Sequence, residues 1–170
     1  VPEQVQRRPG ALRSLRPTIS VPRSSRRLFR GVAGSLVASW ALGGMFLSLV
    51  PSALGTVFGI TNHFAAGALI AVVTGVGALT GLAIQRMDTR RAVLLGLVAL
   101  VLGPIVTVSF VFAHSLPGMV VGSAIAGVGF GAGFQAPLRM LLATAAPTHR
   151  AGLLSTIYVV SYLAFGVPSV

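Results

Sequence analysis

Residues 31–85 decide the fold and read GVAGSLVASWALGGMFLSLVPSALGTVFGITNHFAAGALIAVVTGVGALTGLAIQ, without a single Asp, Glu, Lys or Arg. As one helix these 55 residues would extend about 80 Å, whereas the hydrocarbon core of a bilayer is about 30 Å thick. The stretch therefore predicts two membrane-spanning helices. The break falls at residues 58–63, where Gly59 and Asn62 are typical turn and cap residues.

The rest of the chain repeats this pattern. Residues 92–138 are also uncharged, with a break near Ser115 and Pro117, and residues 151–170 form one more apolar run. Of the 170 residues only 9% are charged, against about 25% in soluble domains. We predict an all-α, polytopic membrane helix bundle over 31–170 with about five transmembrane helices, near 32–56, 64–84, 92–112, 118–141 and 151–170.

The positive charge is confined to a few segments. All 13 basic residues are arginines, and twelve lie in residues 1–30, 85–91 and 143–150. These segments fall on one side of the predicted bundle, so the positive-inside rule predicts a multi-pass protein of the plasma or inner cell membrane with a cytoplasmic N-terminal tail. Residues 1–30 are predicted to be a basic linker or tail. Two alternatives remain for this segment: it could contact anionic lipid headgroups, or it could be a transit peptide. Nucleic acid is not expected as a partner.

Residue types that support catalysis are scarce. The chain has no cysteine, its two acids are Glu3 and Asp88, and its three histidines fall in predicted loops. The glycine-rich run at 127–133 lacks the preceding strand and following acid of a nucleotide-binding fingerprint. We therefore expect no enzyme activity, no catalytic residue, no metal and no cofactor.

Polar and aromatic side chains inside the spans are the candidates for contact with a transported molecule. The predicted substrate-binding residues are Ser39, Trp40, Gln135, Tyr158 and Tyr162. Alternatives remain for four of them. Trp40 could anchor the helix at the membrane interface, the tyrosines could be ordinary packing residues, and Gln135 could form a hydrogen bond between helices. Arg139, about two turns inside its span, is expected to reach the headgroups, with binding of an anionic substrate as the alternative.

Four stretches resemble the C-terminal half of a major facilitator superfamily transporter, from the seventh to the eleventh of its twelve helices. They are residues 40–48 (WALGGMFLS) before Pro51, residues 81–91 (GLAIQRMDTRR), residues 127–139 (GVGFGAGFQAPLR) and residues 150–155 (RAGLLS) with Tyr158, Tyr162 and Pro168. Because the chain begins at Val1 and ends in an apolar run, we expect it to be a fragment.

The resemblance implies a secondary active transporter, an exporter of small organic molecules that works by alternating access and is proton-coupled in the full-length parent. Its partners would be the lipid bilayer, a small-molecule substrate and the missing N-terminal half, which would hold the coupling groups. The alternative is a five-span structural or scaffold membrane protein without transport activity.

Residues 81–91 resemble the family's signature cytoplasmic loop, which implies a gating role for Gly81, Arg86, Asp88, Arg90 and Arg91. The loop departs from the family pattern because Gln85 stands where an aspartate is usual and Asp88 where a glycine is usual. For Asp88 a simple N-cap of the third span is the alternative.

Overall fold

The computed structural model describes residues 21–166, and within them every regular element is helical. Five α-helices follow one another: α1 (Arg26–Phe58), α2 (His63–Ala83), α3 (Thr89–Phe112), α4 (Leu116–Thr144) and α5 (Arg150–Gly166). Short 3-10 turns at Arg23–Ser25, Ile84–Arg86 and Pro147–His149 precede or join them. Helices α1 to α4 are each long and apolar enough to cross a membrane. The predicted all-helical fold is therefore confirmed.

Polar side chains at the predicted turns fix where three helices begin. Asn62 accepts a hydrogen bond from the Phe64 amide at the start of α2, and Asp88 accepts one from the Arg91 amide at the start of α3. Ser115 accepts one from the Gly118 amide at the start of α4. Each satisfies an amide that the first helical turn leaves without a carbonyl. The cap predicted at Asn62 and the break predicted near Ser115 are confirmed, and Asp88 forms the N-cap that was the alternative to a gating role.

Helix α1 begins at Arg26, inside the segment predicted as a basic tail. Leu28 and Phe29 pack against a buried cluster that includes Leu36 and Leu141. The Ser25 hydroxyl lies 3.1 Å from that of Thr144, at the far end of α4. These contacts hold the first turn of α1 against the bundle. Because arginine is a good helix former, the helix continues through Arg26, Arg27 and Arg30. Residues 1–20 of the predicted tail lie outside the described residues.

Helix α4 occupies the centre of the bundle and packs against α1, α2 and α3, while α5 packs against α1. Its glycines let neighbouring backbones approach closely, as small residues do in membrane helix interfaces. A Cβ atom on Gly131 would collide with the carbonyl of Gly77 on α2. One on Gly96 of α3 would lie 2.6 Å from the backbone nitrogen of Gly133. Helices α2, α3 and α4 are thus held together by direct backbone contact.

Candidate functional site

Five aromatic rings from α4 and α5 surround the ring of Trp40, which lies near the middle of α1. The ring centroid of Trp40 lies 5.1 Å from that of Tyr162, 5.6 Å from Phe134 and 6.1 Å from Phe165. Tyr158 and Phe130 follow at 6.4 Å and 6.5 Å. All five rings meet Trp40 edge to face, the arrangement that the ring quadrupole favours. We call these six residues the aromatic cluster.

Three of the predicted substrate-binding residues, Trp40, Tyr158 and Tyr162, are therefore brought together. Sequence reasoning missed Phe130, Phe134 and Phe165. A signal for them exists, because Phe130 and Phe134 are four residues apart, as Tyr158 and Tyr162 are, and such residues share a helix face. The sequence does not show that these two helix faces and Trp40 point at one another.

The aromatic cluster contains polar atoms without a hydrogen-bond partner among residues 21–166. The indole nitrogen of Trp40 is buried and unpartnered, as is the hydroxyl of Ser161 on α5. The hydroxyls of Tyr158 and Tyr162 also have no partner within that range. The two tyrosines are 40% and 63% exposed, respectively. One edge of the cluster is thus open and carries unused hydrogen-bonding capacity.

Ser39 is adjacent to Trp40 but turns the other way. Its hydroxyl is fully buried and donates to carbonyls of its own helix, 2.7 Å to Ser35 and 3.1 Å to Leu36. Ser35, one turn earlier, donates to the Gly133 carbonyl at 2.7 Å and joins α1 to α4. Ser35 therefore joins two helices, Ser39 bonds within its own helix, and neither hydroxyl is directed at the aromatic cluster.

Gln135 lies on α4 directly over Gly81 of α2. A Cβ on Gly81 would be 3.3 Å from Cγ of Gln135, so the glycine makes room for the glutamine stem. The Gln135 amide is exposed and has no hydrogen-bond partner within the described range. It lines a cavity of about 440 Å³ together with Gln85 and Arg139. No ring contact or hydrogen bond joins Gln135 to the aromatic cluster.

The segment that links α2 to α3 is held by Arg139 of α4. The Arg139 guanidinium donates to the carbonyls of Ile84 at 3.0 Å, Gln85 at 3.0 Å and Met87 at 3.3 Å. It also lies 3.5 Å from the Thr89 hydroxyl. These oxygens at a helix C-terminus satisfy the Arg139 donors locally, and contact of Arg139 with headgroups stays a prediction. We call this arrangement the Arg139 clamp.

The predicted gating residues lie around the clamp but outside it. Arg86, Arg90 and Arg91 are exposed, and their side chains make no hydrogen bond or ion pair to any described residue. Asp88 caps α3 through the Arg91 amide at 3.2 Å. Within residues 21–166, no three His, Asp or Glu side chains come close enough to hold a metal ion.

Long apolar helices, backbone packing through glycine and polar groups at mid-helix define a multi-pass membrane protein. A family model described as "Major Facilitator Superfamily" matches residues 1–168. The chain belongs to the Major Facilitator Superfamily, a family of membrane transporters. No curated protein and no solved structure matches it.

Proposed function

We propose that the chain is the C-terminal half of an exporter of small organic molecules and that the open edge of the aromatic cluster contacts the substrate. The observation that supports this is the position of the two tyrosines. Tyr158 and Tyr162 are eight and twelve residues into α5, or about 12 and 18 Å along its axis. This is near the midplane of a hydrocarbon layer about 30 Å thick.

A phenolic hydroxyl without a partner is costly at that depth in lipid, because nothing in hydrocarbon replaces its hydrogen bonds to water. The face that carries Tyr158 and Tyr162 is therefore better suited to a wet cavity than to acyl chains. A second helical half placed opposite would provide such a cavity, as transporters with sites at the membrane midplane do. The chain would thus form one wall of the substrate site.

The aromatic cluster combines a large apolar surface with a few hydrogen-bond donors. Its rings supply dispersion contact, and the exposed tyrosine hydroxyls supply donors that fix orientation. This combination fits small organic molecules that carry both an apolar ring and a hydrogen-bond acceptor. Alternating access would occur as the two halves rock around this site. The backbone contacts of α2, α3 and α4 would keep this half rigid as it moves.

Proton coupling in this proposal relies on the other half of the transporter, because α1 to α5 contain neither Asp nor Glu and their one histidine, His63, is the exposed first residue of α2. Carboxylates or histidines within spans are the usual proton carriers in membranes. The arginine-rich end of the bundle would face the cytoplasm of a plasma or inner membrane, in accord with the positive-inside rule.

The proposal can be tested by transport measurements on the complete protein that contains this chain, reconstituted in liposomes and supplied with an imposed proton gradient. The probes are ethidium, rhodamine 6G and a neutral aromatic dye. Tyr162→Ala should raise the half-saturating dye concentration about two- to tenfold, which is the value of one aromatic contact, whereas Tyr162→Phe should raise it less.

Leu163→Ala is the matched control, because Leu163 is a neighbouring exposed residue of α5 and is not part of the aromatic cluster. It should transport as the wild type does. If Tyr162→Ala and Leu163→Ala behave alike, the aromatic cluster is not the substrate site. If no dye moves under any gradient, the scaffold alternative gains support.

A further inference from the structure

A second cavity lies at the arginine-rich end of the bundle, where α1 and α3 begin and α4 ends. Its volume is about 600 Å³, and it is distinct from the aromatic cluster, with which it shares no residue. Each of the three helices contributes two apolar side chains to its wall: Leu28 and Val32, Val93 and Leu94, Met140 and Ala143. The cavity thus has an apolar wall built from three helices, close to their ends.

The same cavity has a polar rim formed by Asp88, Thr89, Arg90, Arg139 and Thr144. Arg139 is engaged in its clamp, and the Asp88 carboxylate faces the first amides of α3. The Arg90 guanidinium, by contrast, has neither a hydrogen bond nor an ion pair to any residue of the range 21–166. It is the cation on this rim that is free to meet a ligand.

The surroundings add positive charge without supplying a counter-charge. Arg26, Arg27 and Arg30 occupy the first turns of α1, beside Leu28 and Val32. Asp88 is the sole acid between residues 21 and 166, and no arginine in that range forms an ion pair. Within the described residues, no acid other than Asp88 is available to balance the positive charge of this rim.

We propose that this cavity binds an anionic phospholipid of the surrounding bilayer, with its phosphate at Arg90 and an acyl chain against the apolar wall. Basic pockets between helices at a membrane surface are suited to such headgroups. A free phosphate would leave the apolar wall uncovered, and a neutral lipid would leave Arg90 unpaired. The position of the cavity at the helix ends places both parts of a phospholipid at their natural depth. This proposal does not rest on the proposed transport function.

The test is a titration of the purified full chain in neutral detergent with phosphatidylglycerol, with the first bound lipid counted by native mass spectrometry. Arg90→Gln should weaken binding about fivefold, the factor that one arginine near a charged surface contributes. Arg86→Gln is the matched control, because it removes the same charge from a residue outside the cavity. It should weaken binding less than twofold. Arg90→Lys, which keeps the charge, should restore most of the affinity.

Two further variants separate the headgroup from the acyl chain. Ala143→Phe fills the apolar wall without changing charge and should lower the affinity for phosphatidylglycerol. Asp88→Asn keeps an efficient N-cap and should raise the affinity, because it removes the only negative charge on the rim. Thermal melting in phosphatidylcholine nanodiscs verifies that each variant is folded.

Equal losses in Arg90→Gln and Arg86→Gln would overturn the proposal, because binding would then follow diffuse charge alone. Equal affinity for phosphatidylcholine and phosphatidylglycerol would do the same. Displacement of the lipid by millimolar inorganic phosphate would reassign the site to a free anion. A selective loss in Arg90→Gln and Ala143→Phe, with phosphatidylcholine bound more weakly, would establish it.

Discussion

Replacing Arg139 by methionine should release the segment between α2 and α3 while leaving the bundle folded. Methionine keeps an unbranched stem of similar length but has no donor. The change therefore removes the three bonds to the carbonyls of Ile84, Gln85 and Met87 and the contact with Thr89.

The expected cost follows from how exposed each acceptor is. The bonds to Gln85 and Met87 are solvent-exposed, so water replaces them at little cost. The bond to Ile84 is partly buried, at 3.0 Å, and Ile84 itself is only 2% exposed. Losing a charged donor there costs about 1.5–3 kcal/mol. A loss of this size shifts the equilibrium between the closed and the locally opened segment toward the opened state by about tenfold to a hundredfold.

Hydrogen exchange of the full chain in detergent measures this opening directly. Amides of residues 84–91 should exchange about tenfold to a hundredfold faster in Arg139→Met, and those of α5 should not change. Arg86→Met is the matched control, since the Arg86 side chain has no partner among the described residues. Arg139→Lys should protect the amides of residues 84–91 from exchange only partly, because an ammonium lacks the planar fork that reaches several acceptors. Equal exchange in Arg139→Met and Arg86→Met would refute the clamp.

Two further predictions concern the free energy of unfolding in detergent, measured by thermal or denaturant melting. Gly96→Ala should lower it by about 1–3 kcal/mol, because the new Cβ meets backbone atoms of α4 at 2.6 Å. Gly75→Ala, which has open space around it, should not, and equal melting of the two variants would contradict the packing argument. Ser35→Ala should lower it by about 0.6 kcal/mol, a typical value for a hydrogen bond between membrane helices. Ser48→Ala, whose exposed hydroxyl bonds only to its own helix, should have a smaller effect than Ser35→Ala if the bond to α4 matters.

The sequence predicted the helices more accurately than it predicted side-chain partners. Gly59, Asn62, Asp88 and Ser115 all act as helix caps in the structure, because a cap depends only on residues within one turn. The acceptors of Arg139 were missed because they lie 50 to 55 positions earlier in the chain. Nothing near it in sequence reports them.

The candidate site divides in the same way. That Trp40, Tyr158 and Tyr162 are unusual in apolar spans can be read from composition alone. The rotation of each helix about its own axis decides the rest. It brings these three residues against three phenylalanines in the aromatic cluster, turns Ser39 back to its own helix and places Gln135 over Gly81. Sequence spacing gives a face of each helix but not which neighbour that face meets.

The amino-acid sequence by itself determined the membrane environment, the helical segments and the caps at the turns between them. Hydrocarbon thickness acts on any chain of this hydropathy, and helix caps depend on local residues alone. Only the tertiary structure decided which glycines touch, which arginine clamps the segment after α2 and which remains free, and which rings meet around Trp40. Those outcomes depend on contacts between helices far apart in the chain, where close packing selects one arrangement among many that the same helices allow.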